Sequence, residues 1–208
     1  MTSRTSTLAR TGFALVVLFS ALIALASLRF LFGVEPPEPV FANRFLPGWF
    51  PLHVAAATVA LTLGPFQFVR RLRVGVPKVH RWTGRAYAVA CLLGGTAGFA
   101  MALGASTGPI SQAGFALLAL GWLGCTAQGW RMALQGRHAT AHRDWMIRSF
   151  ALTFAAVMLR IYLPITQAIG LPFEESYRVI AWACWVPNLL VAEIILARTR
   201  PRRRALPA

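Results

Sequence analysis

The chain has 208 residues, a net charge of +15 and a mean hydropathy of +0.58. It is 57% hydrophobic and only 13% charged, whereas soluble domains carry about 25% charged residues. This hydrophobicity excludes a disordered chain, and the scarcity of charge argues against a soluble nucleic-acid-binding domain. We therefore expect the positive charge to reflect membrane topology and predict no nucleic-acid partner.

Six runs of apolar residues are each long enough to cross a hydrocarbon core of about 30 Å as a helix. The runs are continuously apolar rather than alternating, which disfavours a β-barrel. Short connections hold most of the prolines and charges. The sequence therefore predicts an all-α polytopic membrane bundle, with residues 1–208 forming one integral membrane domain. The predicted spans are residues 11–34, 49–69, 82–103, 113–134, 146–168 and 179–197.

The basic residues predict the orientation of this bundle. If the N-terminus is cytoplasmic and each run crosses once, 17 of the 21 Lys and Arg residues face the cytoplasm. This bias is the positive-inside pattern, so we predict a multi-pass protein of the cytoplasmic (inner) membrane with both termini in the cytoplasm. The basic loops and the tail at 198–208 are expected to contact anionic lipids. The 17 residues are Arg4, Arg10, Arg70, Arg71, Arg73, Lys78, Arg81, Arg85, Arg131, Arg137, Arg143, Arg148, Arg198, Arg200, Arg202, Arg203 and Arg204.

The first run allows an alternative interpretation as a cleaved signal peptide. Arg4 and Arg10 precede the apolar stretch, and Ala24-Leu25-Ala26 has the small-x-small pattern of a cleavage site. However, the apolar run continues through Phe32, which makes it longer than a typical signal core. Cleavage would leave five spans in the same orientation.

Two histidines begin spans that run in the same direction, at the same cytoplasmic depth. They are His80, in His80-Arg81-Trp82-Thr83-Gly84-Arg85, and His142, in the stretch 142–148. Two axial imidazoles from neighbouring helices are a standard way to hold haem. Gly84 follows His80 by one turn and would leave room for a porphyrin plane.

These residues predict a single haem b near the cytoplasmic face, with its iron bound by His80 and His142 and with no other metal. Adjacent arginines could hold its acidic groups. Alternatively, the two stretches only mark the membrane interface, where tryptophans anchor helices and arginines contact lipid. Glu193 is expected to pair with Arg85 or Arg148. The candidate arginines are Arg81, Arg85, Arg143 and Arg148.

A second set of polar residues lies inside the spans, where ionisable side chains are costly. Thr153, Arg160 and Gln167 recur every seven residues on one face of the fifth span, and Arg160 lies about 12 Å from its outer end. His53 and Gln67 lie at the two ends of a small-residue stripe on the second span. These five residues predict an alternative substrate site for a small anionic or amphipathic solute. The stripe equally fits close helix packing.

Several stretches resemble an uncharacterised bacterial membrane family, domain of unknown function 2306. The resemblance covers about His53 to Arg160, and it implies a polytopic helical membrane protein without an established activity. The stretches are Gly64-Pro65-Phe66-Gln67-Phe68, residues 80–85, residues 114–122 and residues 142–160.

The turn that begins at His80 is also similar to span ends of haem-binding ferric-reductase and cytochrome b561-type domains. Such domains generally carry two histidine pairs, one near each membrane face, whereas here only His53 lies near the outer face. The resemblance therefore implies at most one haem. The matched depth of His80 and His142 predicts a small electron-transfer subunit that works with a quinone or a membrane redox partner.

Two other functions stay open at this point: a carrier or binding protein for a small anionic solute, and a non-catalytic assembly subunit of a membrane complex. No Ser/His/Asp, Cys/His, metalloprotease or P-loop pattern occurs in the sequence, so hydrolytic catalysis has little support. Whether the protein is an enzyme is left open.

Overall fold

The computed structural model describes residues 2–36, 40, 42–136 and 139–199, and the regular structure of these ranges is entirely helical. The α-helices follow one another through short turns, with 3-10 helices at Arg29–Phe32 and Pro65–Phe68. In chain order they are α1 (Thr2–Leu28), α2 (Leu46–Leu63), α3 (Arg70–Gly75), α4 (Pro77–Ala102), α5 (Pro109–Gln135), α6 (Ala139–Thr153), α7 (Ala155–Ala168), α8 (Phe173–Ala183) and α9 (Val186–Thr199).

Six helical segments of the described ranges are long and apolar enough to cross a membrane, which confirms the six-span bundle. The third to sixth spans begin four to seven residues earlier than predicted, because the turns before their apolar runs are also helical. The predicted basic tail lies outside the described residues beyond Thr199, as does Arg137. The spans are Arg10–Phe32, Pro47–Phe68, Pro77–Ala102, Pro109–Gln135, Ala139–Ala168 and Phe173–Thr199.

The fifth and sixth spans each consist of two helices instead of one. In the fifth span, α6 ends at Thr153, whose hydroxyl donates to the Ser149 carbonyl at 2.9 Å. Such back-bonding of Ser and Thr often bends helices, although Thr83 and Thr96 make the same bond inside the continuous helix α4. In the sixth span, α9 begins one residue before Pro187, which has no N–H to continue the ladder of α8.

Small residues close the contacts between the spans, and large apolar residues cover the outside. A Cβ on Gly94 of α4 would lie 3.2 Å from the Trp122 ring and 3.3 Å from the Ala56 Cβ. In contrast, Leu25 is 66% exposed and Leu190 is 59% exposed. A continuous apolar exterior is rare in soluble proteins and is expected where lipid covers the surface.

The centre of the bundle holds a buried network of hydroxyl groups from three spans. The Tyr87 hydroxyl of α4 lies 3.0 Å from Ser149 Oγ and 2.9 Å from Thr153 Oγ1, both on α6. From α5, Trp122 Nε1 donates to Thr153 Oγ1 at 2.9 Å, and Thr126 Oγ1 lies 2.7 Å from Ser149 Oγ. These bonds fix the rotation of the third, fourth and fifth spans about their axes, and so determine which side chains reach the spaces at either end.

Candidate functional site

A cavity of about 560 Å³ lies where α3 approaches the beginnings of the third and fifth spans. His80 and His142 both line this space, so the structure brings the two predicted histidines to one site. We call it the basic cavity, because four arginines also line it. The volume falls within the range of about 300–1,000 Å³ that is usual for small-molecule sites. The four arginines are Arg73, Arg81, Arg85 and Arg143.

The two imidazoles of the basic cavity differ in their hydrogen bonds. His142 Nδ1 lies 2.8 Å from the Gly129 carbonyl oxygen. If Nδ1 carries the proton and donates it, Nε2 is left as a free ligand atom, as in many metal-binding histidines. His80 Nδ1 is buried and has no hydrogen-bond partner in the part of the chain that the structure describes. An unpaired buried nitrogen is costly, so we expect a bound molecule or water to supply the hydrogen-bond partner of His80 Nδ1.

The electrostatics of the basic cavity favour an anion. Within the described ranges, no Asp or Glu lines the cavity, so the four arginines meet no carboxylate among its walls. One of them, Arg85, has its guanidinium carbon 5.0 Å from the centre of the Trp82 ring, a cation–π geometry that fixes its orientation. A concave surface lined by one sign of charge raises the local concentration of oppositely charged molecules.

Two features that the sequence assigned to this site lie differently in the structure. Arg148 does not line the basic cavity, because its Nη2 donates to Glu193 Oε2 at 2.9 Å and ties the fifth span to the sixth. The space over Gly84 is occupied by the Gln67 amide, since a Cβ there would lie 3.1 Å from Gln67 Oε1. Of the two partners expected for Glu193, the structure shows Arg148. Arg148 is therefore not among the arginines that could hold a ligand in the basic cavity.

A second cavity, of about 180 Å³, lies at the opposite end of the bundle; we call it the Arg160 cavity. From the alternative substrate set it gathers His53, Thr153 and Arg160. Gln67 lines the basic cavity instead, and Gln167 is exposed and lines neither space. Only three of the five residues predicted for the alternative substrate site therefore lie together in one cavity.

The polar groups of the Arg160 cavity are held by backbone carbonyls. His53 Nδ1 lies 2.8 Å from the Gly94 carbonyl oxygen of α4, and a Cβ on Gly98 would lie 3.1 Å from the same ring. Arg160 Nη1 donates to the Ala156 carbonyl, one turn earlier on α7, at 3.1 Å. These two hydrogen bonds leave Nε2 of His53, and Nε and Nη2 of Arg160, without a hydrogen-bond partner within the described residues.

Sequence reasoning missed several residues that line the cavities or position their walls. Asn43 and Tyr177 line the Arg160 cavity, and Arg73 lines the basic cavity. Asn43 lies in a loop that gives no periodic signal, although its Nδ2 donates to the Met101 carbonyl at 2.7 Å. Tyr87 was detectable, because it follows His80 by seven residues and shares its helix face.

A comparison with models of protein families identifies the family of the chain. The model described as predicted membrane protein (DUF2306) matches residues 50–196. The chain belongs to this family. In this DUF2306 protein the match extends beyond the expected region of residues 53–160 to take in most of the sixth span, and it begins after the first span.

No curated protein and no solved structure matches this DUF2306 protein. The resemblance to ferric-reductase and cytochrome b561-type domains therefore stays a prediction. All the residues that line the basic cavity lie inside the matched region, whereas Val40 and Asn43 of the Arg160 cavity precede it.

Proposed function

We propose that the protein is a b-type haem-binding subunit of the cytoplasmic membrane, with its haem in the basic cavity. The observation that carries this proposal is that two histidines, from the third and fifth spans, line one cavity together with four arginines. No other pair of histidines in the described residues shares a cavity in this way.

The residues of the basic cavity fit the chemical needs of haem b. His142 offers Nε2 while its Nδ1 is held by the Gly129 carbonyl, and no hydrogen bond within the described residues engages Nδ1 of His80. The arginines are opposite in charge to the two propionates and can donate hydrogen bonds to them. Phe68 and Trp130 supply apolar wall. When bound, haem supplies one-electron redox chemistry, and the protein tunes it through ligands, charge and burial.

Three further features belong to this proposal. Electrons would pass between a membrane quinone and a protein partner, because the chain has no recognised nucleotide- or flavin-binding motif of its own. The exposed Arg70 and Arg71 of α3, beside the cavity, would contact anionic lipid at the cytoplasmic face. Arg148 has no role in holding haem, because Glu193 neutralises it.

An absorbance spectrum tests the proposal directly. The full chain, expressed with haem supplied and purified in detergent, is expected to show a Soret band that shifts on reduction. His80→Ala and His142→Ala are each expected to lose most of this band. His53→Ala is the matched control, since His53 lies in the other cavity and its loss should leave the band unchanged.

Two results would overturn the haem proposal. The first is a wild-type protein without a Soret band, and the second is a band that persists in both His80→Ala and His142→Ala. Comigration of a haem-free protein with a larger complex on native gels would then favour the assembly subunit.

A further inference from the structure

The guanidinium of Arg160 is a partly buried cation with no counter-charge among the described residues that line its cavity. Its Nη1 bonds the Ala156 carbonyl, and within the described ranges no Asp or Glu lines the cavity around it. A cation at this depth is costly unless it is paired or hydrated. An ionisable side chain inside a membrane span is therefore a candidate binding group.

We propose that the Arg160 cavity binds the carboxylate of a small apolar acid about the size of benzoate. The proposal is independent of haem in the basic cavity, because the residues that carry it lie at the other end of the bundle.

The polar groups that would meet the carboxylate come from different spans. Arg160 supplies charge-assisted N–H donors from α7, in a fork geometry that suits two carboxylate oxygens. His53 Nδ1 is occupied by the Gly94 carbonyl, so its Nε2 is the ring nitrogen left for a ligand. Tyr177 of α8 also lines the cavity. This arrangement favours an anion over a neutral molecule, since removing the ligand's charge leaves Arg160 unpaired.

The remaining walls and the volume define the rest of the ligand. Ala57, Phe115 and Leu118 are apolar, and the polar wall residues Asn43 and Thr153 already make hydrogen bonds within the protein. These walls therefore offer little to a second charged group. The cavity volume is about 180 Å³, and an engineered apolar cavity of about 150 Å³ is known to hold benzene. A single six-membered ring or a short alkyl chain with one carboxylate therefore fits this volume.

Access to the cavity comes from the end opposite the basic cavity. Asn43, Ala105 and Ser106 line the cavity from the loops that join the first to the second span and the third to the fourth. Ser106 is exposed. In the predicted orientation these loops face outward, so the acid would enter from outside the cell.

Ligand binding to the full chain in lipid nanodiscs tests this inference. Trp122 lines the cavity, so its fluorescence can report occupancy, and calorimetry gives an independent affinity. Benzoate is expected to bind, whereas benzyl alcohol, which is similar in size but neutral, is expected to bind at least tenfold more weakly. Arg160→Gln is expected to weaken benzoate binding at least tenfold.

Two further variants separate the cavity from general charge effects. Arg44→Gln removes an exposed arginine near the same end and should leave benzoate binding unchanged, since Arg44 does not line the cavity. Ala57→Leu keeps Arg160 but fills the cavity, so it should also abolish binding. It keeps the test valid if Arg160→Gln does not fold.

The inference is overturned if wild-type protein binds benzoate and benzyl alcohol equally, or binds neither. It is also overturned if Arg44→Gln weakens binding as much as Arg160→Gln, since the effect would then be surface charge. The haem spectrum should be the same in Arg160→Gln and wild type. A failure of this proposal therefore leaves the haem proposal untouched, and the converse holds too.

Discussion

The hydroxyl network around Tyr87 has as many donors as hydrogen bonds. Trp122 can only donate, and Thr153 gives its one proton to the Ser149 carbonyl. Tyr87 must then donate to Thr153, Ser149 to Tyr87, and Thr126 to Ser149. Each of the five protons has one acceptor, so the network has one fixed direction. Such a network holds spans in register and is poorly suited to carry protons.

We expect Tyr87→Phe to lower the free energy of unfolding by about 1–2 kcal/mol. The change leaves the Ser149 proton without its acceptor and Thr153 without one of its donors, and both residues are buried. Denaturant titration in detergent micelles measures the loss.

Tyr162→Phe is the matched control for this prediction. Tyr162 is half-buried in α7, and its hydroxyl makes no hydrogen bond within the described part of the chain. Its replacement should change the free energy of unfolding by less than about 0.5 kcal/mol. Equal losses for the two tyrosines would contradict the central role given to the network.

Among the helical elements, α5 offers two glycines in opposite surroundings. A Cβ on Gly114 would lie 2.9 Å from the Ala181 carbonyl oxygen and 3.0 Å from the Ala181 Cβ of α8. No atom lies within 4 Å of a Cβ built on Gly124. The first glycine permits close approach of the fourth and sixth spans, whereas the second faces open space.

Gly114→Ala is expected to destabilise the protein by about 1–3 kcal/mol, because backbone atoms of α8 must move away. Gly124→Ala is expected to stabilise it by about 0.5–1 kcal/mol, because alanine loses less backbone entropy in a helix. Thermal unfolding of the two purified variants gives the comparison, and a loss of similar size in both would contradict the close approach.

The existence of the six spans could be predicted, because a helix that crosses a bilayer must be apolar over its length. The interruption of the fifth span could not. Pro164 is the residue that a sequence reader would suspect, yet it lies inside the continuous helix α7. The break falls at Phe154, next to Thr153 of the buried hydroxyl network, and no proline or glycine marks this position in the sequence.

The basic cavity could also be predicted only in part from the sequence. The depth of His80 and His142 along their spans follows from counting residues, but the rotation of a helix does not. The rotation of each helix about its axis places Arg148 against Glu193 and the Gln67 amide over Gly84. Tertiary packing sets these directions, and the sequence pattern constrains them weakly, since lipid and neighbouring helices accept the same apolar side chains.

For the whole molecule, the orientation in the membrane is the prediction with most consequence. Two exposed positions at opposite ends, Ser106 and Gln135, allow it to be measured with single cysteine substitutions. In right-side-out vesicles, a membrane-impermeant maleimide should label Ser106→Cys at once and Gln135→Cys only after permeabilisation. Wild-type protein gives the background from the native cysteines, of which Cys91 and Cys184 are buried and Cys125 is partly buried. The reverse labelling pattern would contradict the positive-inside assignment.

The separation of the two cavities along the bundle has a consequence for an energised membrane. In the predicted orientation, an anion in the Arg160 cavity lies on the outer side of the electric field, and an anion in the basic cavity lies on the inner side. Full transfer of one charge is worth about 2.3 kcal/mol per 100 mV. A cell interior that is electrically negative therefore favours occupancy of the Arg160 cavity over the basic cavity. The resting voltage thus adds to the preference of an anion for the outer end of this protein.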